Sequence, residues 1–519
     1  MSVALDHSGS QNSSVQASAV TVDGIAAASA APARAGGMST AAQRAAAALA
    51  RRSLSPVIFA GAVRLAEFMT LVALGTLIYF VYVVPTDGFA WFYALPIIGG
   101  SLAAVFLIQT ADGYTIPALR HGVLRLGRIA LAWTGVFALF GAVAFLTKSG
   151  DSYSRVWISA WYVAGLVALG VLRPSISAFA RRWTETGLLE RRAIVVGGGQ
   201  AAEELINALA AEPDNDIRIC GIFDDRKDDR SPSVVAGYPK LGTVAELVDF
   251  GRIAHVDLLI VAMPLTAESR LLQMLKQLWV LPVDIRLSAH GNKLRFRPRS
   301  YSFIGTLPFL DVFDKPITDW NYLLKRAFDL AVGTLALLLL SPLMLATAVA
   351  IRLESRGPVF FRQKRYGFNN EVIDVWKFRS MYHEFADPLA RKVVTKNDAR
   401  VTRVGKFIRR TSIDELPQLF NVLRGDLSLV GPRPHAVNAH TSERLFEQVV
   451  DGYFARHRVR PGVTGWAQIN GWRGEIDTPE KIRRRVEFDL DYIENWSVLF
   501  DVKILALTPF RLFDKTGAY

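Results

Sequence analysis

Lys325-Arg326-Ala327-Phe328-Asp329-Leu330-Ala331-Val332-Gly333-Thr334-Leu335-Ala336-Leu337-Leu338-Leu339-Leu340-Ser341-Pro342-Leu343-Met344-Leu345-Ala346-Thr347-Ala348-Val349-Ala350-Ile351-Arg352 is long and apolar enough to cross a bilayer as a helix. Both of its ends are basic: Lys325 and Arg326 precede it, and Arg352 and Arg356 follow it. Positive charge beside a membrane segment marks the cytoplasmic side, so both ends belong there. Pro342, behind Ser341, lies near the middle, and proline removes a backbone donor and breaks a helix. The expectation is a re-entrant helix near 322–352 that enters the membrane, bends at Ser341-Pro342 and returns. A kinked spanning helix is the alternative, and it would place everything after Arg352 on the far side.

Upstream, four apolar stretches at roughly 63–84, 89–108, 129–146 and 156–172 are each close to spanning length. Arg120, His121, Arg125 and Arg128 fill the second loop, and Arg173, Arg181, Arg182, Arg191 and Arg192 follow the fourth stretch. The N-terminus, the second loop and everything after Arg173 are therefore expected in the cytoplasm. Residues 1–55 are rich in Ala, Ser and Gly, with no apolar core behind a basic start. They read as a disordered cytoplasmic tail rather than a signal peptide, with weak helical propensity near 40–50.

Between the membrane parts, Ala193-Ile194-Val195-Val196 reads as a buried strand, and Gly197-Gly198-Gly199-Gln200-Ala201-Ala202 opens a helix. Further strands are expected at 217–223, 256–262 and 283–287. This predicts a Rossmann-like α/β domain over 185–300, then a linker at 301–320. Asp224 or Asp225, at the end of the second strand, could hold a ribose hydroxyl. Such glycines also serve plain strand-to-helix packing, so a cofactor does not follow from them.

With 60 Lys and Arg against 47 Asp and Glu, the chain carries +13, and its mean hydropathy is +0.23. Without zinc-finger spacing, a basic zipper or an RNA-binding signature, nucleic acid is excluded as a partner. Lipid headgroups and phosphorylated substrates remain. The single cysteine, Cys220, excludes an intrachain disulfide and a cysteine metal cluster.

Downstream, Arg409-Arg410-Thr411-Ser412-Ile413-Asp414-Glu415-Leu416-Pro417-Gln418 is followed by Asn421 and by Gly431-Pro432-Arg433-Pro434. Adjacent carboxylates among arginines suit a carboxylate nucleophile acting on a metal-bound phosphate. Ser412-x-x-Glu415 also reads as a capping box, which accounts for neither Asp414 nor the arginines. Before it, two extended runs around Phe368-Asn369-Asn370 read as a hairpin. Alternation puts Lys377 and Arg379 on one face, and Arg362 and Lys364 together. The end of the chain interleaves Trp496, Leu499, Phe500 and Phe510 with Asp501, Lys503 and Arg511, as in an interfacial helix or a core-packing one.

The string from Arg409 to Gly425-Asp426 and Gly431-Pro432-Arg433-Pro434, with Lys325-Arg326-Ala327-Phe328-Asp329, Ser341-Pro342 and Lys377-Phe378-Arg379-Ser380-Met381, resembles the monotopic polyprenyl-phosphate phosphoglycosyl transferases. The resemblance covers 321–519 as the catalytic part, and the preceding layout is similar to the large bacterial members. Pro434-His435-Ala436-Val437 and Gly471-Trp472-Arg473-Gly474-Glu475 resemble the glucose phosphotransferases of exopolysaccharide pathways, whereas Asn438-Ala439-His440-Thr441 departs from them.

The resemblance implies a membrane protein, α plus α/β. A four-helix transmembrane region at 56–184 and a Rossmann-like cytoplasmic domain would precede a monotopic catalytic domain with a re-entrant helix. It implies that Asp414 attacks the β-phosphorus of a UDP-sugar, releasing UMP, and that the lipid phosphate then takes the phosphosugar. Glu415 would position Mg²⁺. Lys377, Arg379, Arg409, Gln418, Asn421 and Arg433 would bind substrate. The expected donor is UDP-glucose, with UDP-galactose and then UDP-N-acetylglucosamine as alternatives. Expected partners are undecaprenyl phosphate, membrane lipid and a second copy in a homodimer, at the bacterial inner membrane. A nicotinamide-linked nucleotide-sugar dehydratase or epimerase is the competing enzyme class, but no Tyr-x-x-x-Lys follows the glycine turn.

Overall fold

The computed structural model describes residues 38–512, except 51–53, 121–125, 150–151, 213–215, 227–231, 264–266, 289–300, 305–306, 386–397, 438–439, 442–443, 446–449, 451 and 473–477. The motif residues Arg473, Gly474 and Glu475, the departure at Asn438-Ala439 and the first 37 residues lie outside the described residues.

Among the described residues five helices are long and apolar enough to cross a membrane: Pro56–Asp87, Trp91–Thr110, Leu126–Leu146, Arg155–Thr184 and Asp319–Glu354. The first four fall on the expected apolar stretches. The first and fourth run longer, because helix formation does not stop where hydrophobicity does. Their shared core is aromatic, with Trp133, Trp157 and Trp161 buried. The indole N–H of Trp157 donates to the Gly75 carbonyl at 3.0 Å. A Cβ at Gly75 would lie 2.9 Å from the Trp161 ring, so only glycine lets the backbone approach so closely. Near one end of the bundle Arg173 and Glu67 form a buried ion pair, and Tyr114 also donates to Glu67 at 2.6 Å.

The helical propensity expected near 40–50 is realised, and the expectation of a disordered tail is corrected there. Thr40–Ala48 is a helix with Ala41, Ala42, Ala45 and Ala46 buried in the same core as Leu241, Val244 and Leu247 of the α/β domain. Alanines at that spacing make a flat face, and a sheet-and-helix surface gives it something to cover. Ser39 fixes it by donating to the Leu241 carbonyl at 2.7 Å.

Among the described residues the α/β domain forms an eight-stranded sheet. Its strands are β1 Arg191–Val196, β2 Ile217–Phe223, β3 Val234–Val235, β4 Tyr238–Gly242, β5 Leu258–Val261, β6 Asp284–Ser288, β7 Tyr301–Ile304 and β8 Leu307–Phe313, in the order β3-β4-β2-β1-β5-β6-β8-β7. Its centre, β4-β2-β1-β5-β6, is parallel. Residues 301–313, expected as linker, instead pair antiparallel onto β6. Leu307 and Phe309 are buried there, and that burial draws the segment into the sheet.

In the C-terminal part, β9 Phe360–Tyr366 and β10 Val372–Phe378 form the expected antiparallel hairpin. Short helices Arg403–Arg410 and Gln418–Arg424 follow, then β11 Ser428–Val430, which runs parallel to the strand Gly462–Thr464. Asp319–Glu354 is one helix with Pro342 inside it. Proline at 342 leaves the Leu338 carbonyl without its usual donor. The Ser341 hydroxyl donates to that carbonyl at 2.8 Å, which explains why the pair does not divide the helix in two.

Both ends of this helix are fastened to the same C-terminal domain. Lys325 donates to the Val430 carbonyl at 3.0 Å and to Asp501 at 2.6 Å. Arg326 donates to the carbonyls of Val422 and Leu423, both at 2.6 Å. At the other end, the Glu354 carboxylate accepts from the backbone N–H groups of Arg403 and Val404 at 2.7 and 3.0 Å. The last helix, Val498–Leu512, has two faces. Asp501 and Ile504 are buried on the domain, while Leu499 and Phe510 are exposed.

Candidate active site

Asp414 and Glu415 sit in a single 3₁₀ turn, Ile413–Glu415, between the two short helices. The turn is entered through Ser412 in the left-handed region, φ 59°, and Ser412 makes no side-chain cap to it. The capping-box reading is thereby corrected: a serine with that backbone cannot serve as an extended N-cap. Within this turn Glu415 is ion-paired to two cations, and Asp414 lies in the field of the same cations without pairing to them.

Glu415 Oε1 accepts from Lys377 Nζ at 2.9 Å and from Arg433 Nη2 at 2.6 Å, and Oε2 takes a longer 3.3 Å bond from Arg433 Nη1. Burial favours the protonated acid, but Arg433 and Lys377 more than offset it and hold Glu415 well below the usual carboxylate range. Asp414 makes no hydrogen bond or ion pair among the described residues. Burial pushes its carboxyl up to about 6, against the pull of Lys377, with Glu415 adding to the rise. Two adjacent carboxylates thus differ in kind: one permanently ionised and pinned, one free and poised near neutral pH.

The expected site residues divide. Lys377 and Arg433 meet at Glu415, and Arg409, in the last turn of Arg403–Arg410, lowers the Asp414 pKa through space. Gln418 is buried at the start of the helix behind the turn.

Arg379 goes elsewhere. Its guanidinium donates to the Arg356 carbonyl at 2.6 Å and to the Ser355 carbonyl at 2.8 Å, locking the end of the long helix. It lies beyond β10, so strand alternation no longer fixes where it points. Asn421 is also diverted. Its Oδ1 accepts from Trp376 N at 2.9 Å, and its Nδ2 donates to the Asp374 carbonyl at 2.8 Å and to Asp426 at 3.2 Å. With both N–H groups engaged and its oxygen bound to Trp376 N, it clamps the helix to β10.

Two features escape a reading of the motifs. Arg365 lies in the field of Arg433, Glu415 and Asp414, on the face of β9 opposite Arg362 and Lys364. Those two turn away: Arg362 stacks over Trp376 and Lys364 faces Asp374. Alternation from Lys377 through the hairpin register would have identified Arg365, but the register depends on the turn. Beneath Arg433 is a second buried layer. Arg456 donates to the Arg433 carbonyl at 2.7 Å, pairs with Asp489 at 2.6 Å and contacts His435 at 2.6 Å. Burial and the neighbouring Arg456 keep His435 well below its ordinary pKa, hence neutral.

Residues 320–515 match the family model for bacterial sugar transferases. The chain is 40% identical over 388 residues to the UDP-glucose:undecaprenyl-phosphate glucose-1-phosphate transferase of Escherichia coli (strain K12), covering 75% of this chain and 81% of that protein. The chain belongs to the bacterial sugar transferase family. This sugar transferase is also 37% identical over 435 residues to the enzyme of the same name from Klebsiella pneumoniae, covering 83% of this chain and 91% of the relative. Its identity to the undecaprenyl-phosphate galactose phosphotransferase of Salmonella typhimurium is 30% over 403 residues, covering 74% of this chain and 80% of that one. Residues 109–289 match a CoA-binding domain model.

The two acids at the glycine turn of this transferase are placed differently. Asp224 is buried and accepts from Gly198 N at 3.1 Å and from Arg226 Nε at 3.0 Å, while Asp225 accepts from Val244 N at 2.9 Å. The adjoining cavity, lined by Gly197, Asp224, Asp225 and Arg270, measures about 100 Å³. Ligand pockets are commonly about 300–1,000 Å³.

Proposed function

We propose that this chain transfers glucose 1-phosphate from UDP-glucose to undecaprenyl phosphate, giving undecaprenyl-diphosphate-glucose and UMP, as the first membrane step of exopolysaccharide or capsule synthesis. The observation that carries the chemistry is the Asp414 carboxylate, unpartnered among the described residues, beside a Glu415 already bound by Lys377 and Arg433. An Asp414 oxygen attacks the β-phosphorus. The bond from phosphorus to the bridging oxygen breaks, and UMP leaves with that oxygen. The aspartyl phosphoglucose is then attacked by an oxygen of the lipid phosphate, which frees the carboxylate. The bond between the sugar and its phosphate oxygen is never broken, so the anomeric configuration is retained. Lys377 and Arg433 hold positive charge where the transferring phosphoryl group develops negative charge.

Mg²⁺ belongs to the same proposal. Glu415 Oε2 keeps lone-pair capacity, since only the 3.3 Å contact reaches it. Among the described residues no group of three or more His, Cys, Asp or Glu could form a protein cage. That suits an ion bound by one or two carboxylates plus water and substrate phosphates. When bound, it would offset charge on the diphosphate.

The membrane arrangement supports a lipid substrate reached from the cytoplasmic face of the inner membrane. From Arg326 to Glu354 a straight helix would rise about 42 Å, more than the roughly 30 Å hydrocarbon core. Both ends nevertheless bond to one domain. That supports a helix entering and leaving by the same face, since a spanning helix would need the domain on both sides. A homodimer is part of the proposal, to be checked by the mass of the protein in lipid nanodiscs.

UMP release tests the reading, using the full-length protein with Mg²⁺ and undecaprenyl phosphate. UDP-glucose should give UMP and a lipid-linked glucose, and faster than UDP-galactose. Faster release with UDP-galactose would overturn the sugar alone; no UMP from any UDP-sugar would overturn phosphoglycosyl transfer.

A further inference from the structure

We infer that Arg365 is a further substrate-binding residue, a guanidinium that receives the diphosphate of the sugar nucleotide and keeps hold of the UMP phosphate as it leaves. The inference rests on the phosphoglycosyl-transfer reading and extends it to a residue that no motif singles out.

Charge comes first. Lys377, Arg365, Arg409 and Arg433 surround the Asp414–Glu415 pair, so four cations face two carboxylates. Lys377 and Arg433 are both bound to Glu415. Among the described residues Arg365 has no carboxylate within ion-pair distance. A largely buried cation without a counter-ion is costly, and burial and the neighbouring Arg433 lower its pKa to about 10. With Lys377 and Arg433 engaged by Glu415, Arg365 is left to meet the negative charge of an anionic ligand such as a sugar-nucleotide diphosphate.

Orientation comes second. Arg365 Nε and Nη2 both donate to Gln363 Oε1, at 3.2 and 2.8 Å, and Nη1 donates to the Pro434 carbonyl at 2.6 Å. Gln363 and Arg365 are two apart on β9 and share a face, which is also the Lys377 side of the hairpin. The backbone of the strand continues the fixation: Tyr366 N donates to the His435 carbonyl at 3.1 Å, and Arg365 bridges Ala436. The guanidinium is thus held before any ligand arrives. Of its five N–H groups three are used, leaving one on each Nη nitrogen. N–H groups left free on a planar, pre-oriented guanidinium are donors that phosphate oxygens accept.

A purely structural role, latching the Pro434 loop, makes a different forecast. Arg365→Met would then lower stability and leave nucleotide affinity alone. Under the present inference it weakens UMP as a product inhibitor at least tenfold and raises the KM for UDP-glucose. The KM for undecaprenyl phosphate should stay within twofold. Arg365→Lys, with its charge but no guanidinium, should fall between. UMP inhibition unchanged within twofold in a folded variant would overturn the inference. A second measurement needs no variant: the wild-type protein is treated with phenylglyoxal, with and without UMP, and modification of Arg365 is read by peptide mass spectrometry. UMP should protect Arg365 severalfold; modification that is absent or indifferent to UMP would overturn the inference. Wild-type UMP release is the control, and if it fails, the phosphoglycosyl-transfer reading fails rather than the role of Arg365 alone.

Discussion

Asp414 and Glu415 are neighbours in sequence and opposites in chemistry, and the difference is electrostatic. Asp414→Asn should abolish transfer, because an amide cannot form the acyl phosphate. The same substitution should stabilise the fold at pH 7. Burial raises the folded pKa of Asp414 above its ordinary 3.8, to about 6. The stabilising contribution is therefore present at low pH and lost as pH rises through about 6. Replacing the ionised acid by a neutral isostere removes that penalty, worth about 3 kcal/mol at most for a shift of this size. A thermal melt showing the variant clearly less stable than wild type would contradict this account. The acidic limb of the pH–rate profile provides a further check. Only the carboxylate is nucleophilic, so kcat/KM should fall as pH drops through about 6, with an apparent value belonging to the Asp414–Glu415 pair. A rate that holds down to pH 4 would refute it.

The helix Asp319–Glu354 illustrates how an element is set by its ends. Arg379 secures its C-terminal end by filling the carbonyls of Ser355 and Arg356. Arg379→Met leaves both without a buried donor and should cost about 1–3 kcal/mol. The KM for UDP-glucose should not move, and a selective rise in that KM would return Arg379 to the site. Topology is read separately. Single cysteines placed at Asn321 and at Glu354 should both react with an impermeant thiol reagent only from the cytoplasmic side. Periplasmic labelling of one of them would mean that the helix spans. Cys220 is partly buried in β2, and replacing it with serine gives a clean background.

Across the whole chain, every group placed at the carboxylate pair comes from the C-terminal part: Lys377, Arg365, Arg409, Arg433 and the Arg456 beneath them. The upstream domains meet that part at its periphery. Trp320 packs on Gly61, Asn369 donates to the Gly251 carbonyl at 2.9 Å, and Arg458 donates to the Asp314 carbonyl. A chain beginning at Lys315 should therefore keep UMP release within about tenfold of full length, though with lower thermal stability. A folded, membrane-bound product with no transfer would show that the upstream domains complete the site.

Local chemistry was legible from residue order alone. The apolar length between Lys325 and Arg352, the adjacent Asp414-Glu415 and the strand before Gly197 depend on neighbours in the chain, and backbone and hydrophobic periodicity act at that range. Which cations would reach the acids was not local. Lys377 is 38 residues from Glu415 and Arg433 is 18 away. Sequence placed Arg379 and Asn421 beside them with equal justification. Tertiary packing diverted both, because the helix end at Ser355–Arg356 and the strand at Asp374–Trp376 lie beside them and offer backbone groups as partners. The same principle put residues 301–313 into the sheet and the alanines of Thr40–Ala48 onto it. Propensity can suggest such a strand or helix, but only an apolar surface already assembled from other parts of the chain decides that it is buried there.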